Sequence, residues 1–154
     1  MNEYLTKFEY PLMLLQTIDS IEYAVYSLMK RQSEQNLLYS EIRFAPQLHT
    51  KKGLSQEEVV TASLKGRQKY FDELRQKENI KEGDIPSFYS NIILCCMRGN
   101  GNERENEETI RIAAEFLSDS DGVVAVDLAG AEALFPTSDY EKLFAPVSYT
   151  HLTL

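Results

Sequence analysis

Histidine, cysteine and clustered basic residues are scarce in this chain, and each scarcity excludes a class of function. Its 154 residues include two histidines, His49 and His151, and two cysteines, Cys95 and Cys96. No His-x-His, His-Glu-x-x-His or Cys-x-x-Cys spacing occurs, so motif spacing assembles no metal site. The cysteines are adjacent in an apolar run, where strand neighbours point to opposite faces. They encode no disulfide framework and read as reduced, buried thiols. Phosphate-binding glycine patterns are missing too. Gly99-Asn100-Gly101 is a weak hint of a phosphate loop, outweighed by the acidic run from Glu103 to Glu108. With a net charge of −8 and no basic cluster, neither nucleic acid nor an anionic membrane is expected as a partner. No apolar run reaches the ~18 residues of a membrane span, and no signal-peptide pattern is seen. The chain is read as cytoplasmic.

What is present is the composition of one globular domain, 43% apolar and 26% charged. Tyr4, Leu5 and Phe8 lie on one side of a helical turn that Pro11 is expected to interrupt. Ile18, Ile21, Val25, Leu28 and Met29 form a helical stripe, ended by the polar residues Arg31 to Asn36. Leu37 to Phe44 reads as a strand with Glu41 and Arg43 sharing one face. The capping box Ser55-x-x-Glu58 opens a second long helix, with a charged loop expected from Gln76 to Pro86. Phe88 to Met97 is the next strand. Ile110, Ala113, Ala114 and Leu117 mark another helix, and Val123 to Leu128 a third strand. A second capping box, Ser138-x-x-Glu141, is expected to open the last helix.

Strand followed by helix, repeated, implies a parallel sheet with right-handed crossovers. A doubly wound sheet and a stretch of barrel both fit, and the shared charged face of Glu41 and Arg43 favours the barrel. Met97 with Arg98, and Asp127 with Gly130, fall at the C-terminal ends of successive strands. Those ends share one mouth in a barrel, the face where ligands bind. Glycine at such an exit lets a backbone N–H approach a ligand closely. The residues alone indicate a pocket for a small-molecule substrate.

Four strings carry a resemblance. Ser40-Glu41-Ile42-Arg43-Phe44-Ala45-Pro46, with Leu48, resembles the Glu-x-Arg-(Phe/Tyr)-(Ala/Ser)-Pro-x-Leu strand of the adenosine deaminase family. Leu94-Cys95-Cys96-Met97-Arg98 resembles that family's next strand, and Asp127-Leu128-Ala129-Gly130-Ala131-Glu132 its Asp-Leu-Ala-Gly-x-Glu exit. Tyr4-Leu5-x-x-Phe8 resembles the helix that gates its pocket. The four occur in the family's order. The resemblance implies an α/β fold, a partial TIM (β/α)8 barrel of about three βα units plus preceding helices. It implies a zinc-dependent hydrolase converting adenosine, and 2′-deoxyadenosine, to inosine or deoxyinosine plus ammonia. In that chemistry zinc lowers the pKa of a bound water, and a glutamate protonates the purine ring. Gly130 would then offer its N–H to purine N3 and Met97 would line the pocket. Tyr4, Leu5 and Phe8 would form the gate, and Asp127 would stand behind the residues that touch substrate.

The family's His-x-His pair and its His-Ala-Gly-Glu segment, which supply Zn2+ ligands and the acidic glutamate, do not occur in this sequence. The chain is therefore expected to be an internal piece, over residues 1–146, of a barrel that needs ~250 residues. It holds no catalytic or metal-binding residue of its own and is expected to be inactive alone. Open barrel edges are expected to favour association. Residues 147–154 do not resemble the family, and His151 lacks a following Ala-Gly-Glu, so this stretch is read as a non-native tail. Two alternatives stand beside this reading: the adenine deaminase branch, and a non-catalytic interaction or structural protein reusing the barrel elements.

Overall fold

The computed structural model describes residues 7–81, 84–117 and 122–147. Tyr4 and Leu5 lie outside them. Helix α1 (Glu9–Leu14) contains Pro11 rather than stopping at it. The proline is the third helical residue, where its missing N–H would have found no partner in the helix. Helix α2 (Ile18–Glu34) is opened by a capping pair the sequence reading did not anticipate: Ser20 N donates to Thr17 Oγ1 and Thr17 N to Ser20 Oγ. Ile21, Val25 and Met29 are buried along it, each stabilising by about 2 kcal/mol relative to exposure. Ile18 and Leu28, expected in the same stripe, are 40% and 36% exposed.

Strand β1 (Tyr39–Phe44) starts two residues later than expected, after a turn with Asn36 at φ 61°. A 3-10 turn, Pro46–His49, leads to helix α3 (Gln56–Glu78). The expected Ser55/Glu58 capping box opens α3, with Ser55 N donating to Glu58 Oε2 at 2.8 Å. Asn79 ends it in the left-handed conformation, so the helix runs into the stretch expected to be loop. Strand β2 (Tyr89–Met97), helix α4 (Glu103–Phe116) and strand β3 (Val123–Ala129) complete the repeat. Thr137–Tyr140 forms a 3-10 turn before the short helix α5 (Glu141–Phe144). The expected Ser138/Glu141 capping box does not form. Ser138 sits inside the 3-10 turn, its hydroxyl bonds the adjacent Asp139, and Tyr140 takes the capping position.

Among the described residues the sheet has the order β1-β2-β3, all parallel. Its two faces differ sharply. On one, Ile42, Ile92, Leu94, Cys96 and Val126 pack against α2, α3 and α4. The other carries Glu41, Arg43, Asn91, Ile93, Cys95, Met97 and Asp127, as the register requires. A bulge decides the last of these. Ile92 pairs with Val123 but Ile93 with Ala125, so Val124 is the extra residue and is 38% exposed. Without that insertion every later side chain of β3 would change faces, and Asp127 would point among the helices.

Candidate functional site

The C-terminal ends of the three strands converge on one rim. Met97 pairs with Ala129 in register, which sets Gly130 beside Arg98. Gly130 has φ +119°, and a Cβ there would stand 3.0 Å from Arg98 Cβ. Both the backbone conformation and the space therefore demand glycine. Its residue is exposed, at the point where the chain leaves the sheet. Arg98 N donates to Ala129 O at 2.7 Å, closing the ladder just before this exit.

Arg98 is itself a strut, with its side chain 6% exposed. It donates to Phe135 O at 2.6 Å, to Thr137 Oγ1 at 2.9 Å and to Glu132 Oε1 at 3.2 Å, and it lies over the Tyr140 ring. The segment following Gly130 is thus folded back onto the β2 exit. Below the rim, Arg43 Nη1 reaches across β2 to Asp127 Oδ2 at 2.5 Å, spanning from β1 to β3. Asp127 also accepts from Cys95 Sγ at 3.8 Å. Burial, then the Asp127 carboxylate, pushes both thiols up to about 12, so they stand protonated and unreactive at neutral pH. The expectation of buried, unbridged cysteines holds.

Met97 is half-buried, and its backbone is held from α4. Asn106 accepts from Met97 N at 2.8 Å and donates to Met97 O at 2.9 Å, as a neighbouring strand would. Asn106 Oδ1 also accepts from Gln47 Nε2 at 2.8 Å, tying in the turn after β1. No motif in the sequence marks Asn106. A signal existed: it occupies the helix face of Thr109, Ile110 and Ala113, where an apolar residue would otherwise be expected.

Phe8 stands just before α1 and is 49% exposed. His49, expected in a loop, is 6% exposed in the 3-10 turn and stacks edge-on to Phe44. Its burial lowers its pKa, partly offset by its bond to Leu15 O, so it is neutral at pH 7. A cleft of about 760 Å³ lies away from Met97, Asp127 and Gly130, between α4 and the segment from Phe135 to Pro146. No group of three or more His, Cys, Asp or Glu side chains converges among the described residues. They do not fit the zinc that the resemblance implies. No helix among the described residues is long and apolar enough to cross a membrane.

A parallel βαβαβ sheet with helices on one face and a polar opposite face is a segment of a TIM barrel. The adenosine deaminase family model matches residues 1–151. The adenosine deaminase of Haemophilus ducreyi is 44% identical over 145 residues, 94% of this chain and 39% of that protein. That of Enterococcus faecalis is 36% identical over 146 residues, with the same shares covered. The chain belongs to the adenosine deaminase family. It spans about two-fifths of the length of the relatives it matches. Among solved structures, an adenine deaminase from Arthrobacter aurescens superposes with a TM-score of 0.73 at 18% identity, over 96% of this chain and 40% of that one. The Arabidopsis N6-mAMP deaminase gives 0.72 at 19% identity, over 97% and 42%. These likenesses show the barrel fold.

Proposed function

We propose that this chain supplies one wall of the purine pocket in a hydrolytic adenosine deaminase of purine salvage. The observation that carries the reading is the β3 exit: Asp-Leu-Ala-Gly-x-Glu, with Gly130 required by its φ of +119° and exposed at the rim. An N–H at that point can donate to purine N3 while the ring lies over Met97. Phe8 closes the pocket from the side of α1, and the resemblance gives Tyr4 and Leu5 the same gating role. Asp127, held by Arg43, keeps the β3 exit in register from inside the barrel and does not itself touch substrate. The substrates are adenosine and 2′-deoxyadenosine, the products inosine or deoxyinosine and ammonia, and the compartment is the cytoplasm.

Zinc would activate the water in the whole enzyme. The His-x-His and His-Ala-Gly-Glu strings that would hold it do not occur in this sequence, so the isolated chain hydrolyses no adenosine with or without added zinc. Residues 1–146 are the part we assign to the barrel; the family match runs on to residue 151, and Val147 is buried against Cys96 and Ile110. An adenine deaminase shares the fold, but the 44% and 36% identities to adenosine deaminases favour the nucleoside.

The test is a graft. Residues 7–146 replace the matching stretch of the Haemophilus ducreyi enzyme, and ammonia release is measured with adenosine, 2′-deoxyadenosine and adenine. Turnover of both nucleosides within about tenfold of the parent is expected, with none of adenine. A folded graft that turns over adenine alone would move the chain to the adenine branch. Zinc-dependent hydrolysis by the isolated chain would contradict its assignment as catalytically incomplete.

A further inference from the structure

Helix α1 has no buried residue, and Tyr10, Met13 and Leu14 are 74%, 65% and 74% exposed. Its joint to the body is polar and unusually well buried. Gln16, 2% exposed, donates from Nε2 to Leu12 O at 2.7 Å and to Leu48 O at 2.8 Å. Its Oε1 accepts from Lys51 N at 2.8 Å. One side chain therefore links α1 to the turn that follows β1, at Leu48, and to the backbone just after it, at Lys51. His49, from the same turn, donates from Nδ1 to Leu15 O at 2.7 Å. Leu15 packs between Ile21, Val59 and Phe44 as an apolar pivot, and the Thr17/Ser20 cap fixes the start of α2 immediately after. A helix held at its C-terminal end by directional bonds, with its own faces exposed, is built to swing about that end.

We propose that Gln16 and His49 are positioning residues: a polar clasp that sets how α1, and with it Phe8, docks over the strand ends. This rests on the reading of Phe8 as part of the pocket gate. The experiment is hydrogen–deuterium exchange on the chain itself, with Gln16→Met, His49→Phe and His49→Asn. His49→Phe keeps the ring against Phe44 but removes the donor, whereas asparagine replaces the donor. Exchange over Glu9–Leu14 should rise about tenfold in Gln16→Met and His49→Phe, as loss of one or two net hydrogen bonds implies. His49→Asn should stay within about twofold of the unsubstituted chain, and β2 should keep its protection in all three.

Unchanged α1 exchange in both disruptive variants would overturn the clasp. So would equal acceleration in β2, or an α1 already exchanging at the unprotected rate in the unsubstituted chain. In the Haemophilus ducreyi graft the disruptive variants should raise KM for adenosine at least threefold with kcat within about twofold. If the unsubstituted graft fails to deaminate, the deaminase reading falls while the exchange data still decide the clasp.

Discussion

Replacing Asn106 by leucine should destabilise the fold by about 3–5 kcal/mol, measured as a lower urea midpoint of the chain. The residue is 1% exposed and serves three partners at once: Met97 N, Met97 O and Gln47 Nε2. Leucine keeps the branched shape but would leave Met97 N and Gln47 Nε2 without a partner and Met97 O with only the long bond from Asn102. Each such orphan costs about 1–3 kcal/mol, more than the bond itself contributes net, because the group cannot regain water. The loss falls on the backbone of Met97, so the strand end that faces the rim should shift as well as weaken. Asn102→Ala is the control. Asn102 reaches Met97 O and Arg98 O at 3.4 and 3.3 Å from a partly exposed position, and its loss should cost under about 1 kcal/mol.

Gly66→Ala should lower the melting temperature by about 6 °C, although alanine is the better helix former. A Cβ at Gly66 would run into Glu22 O and stand 3.0 Å from Glu22 C and 3.1 Å from Glu22 Cα. These are backbone atoms of α2 and cannot rotate aside. Helices α2 and α3 would have to separate, loosening Val25 and Met29 against Tyr70, Phe71 and Leu74. Exchanging glycine for alanine gains about 1 kcal/mol in an unconstrained helix, whereas overpacking of this kind costs about 3 kcal/mol or more. The clash therefore decides the sign. The net loss is about 2 kcal/mol, which for a domain of this size corresponds to roughly 6 °C. An unchanged or raised melting temperature would mean the helices do not meet at this glycine.

The parallel pairing of the strands, the Ser55 cap, the fate of the cysteines and the glycine exit were all legible in the sequence. Each rests on local chemistry: a period of two or 3.6, a side chain within three residues of its partner, or a glycine at a chain reversal. The features that escaped depend on partners far away in sequence. Gly66 reads as a weak point in a helix until Glu22 is placed against it. Glu41 and Arg43 read as a shared charged face, but nothing local says that Arg43 crosses a strand to Asp127. The bulge at Val124 is invisible in a run of β-branched and small residues, yet it decides which face Asp127 takes. The Ser138 box failed because a matching spacing does not ensure a helix start, and here the 3-10 turn ending at Tyr140 occupies that place.

If the backbone of the β3 exit recognises a purine, selective glycine labelling reads that contact directly. In the graft, carrying 15N-glycine and assigned by loss of one resonance in Gly130→Ala, the Gly130 amide should shift on addition of inosine and saturate with it. Gly53, on the far side of the turn after β1, should not move. Saturating inosine that leaves the Gly130 amide unshifted, in a graft that still deaminates adenosine, would contradict the assignment of this exit to the purine.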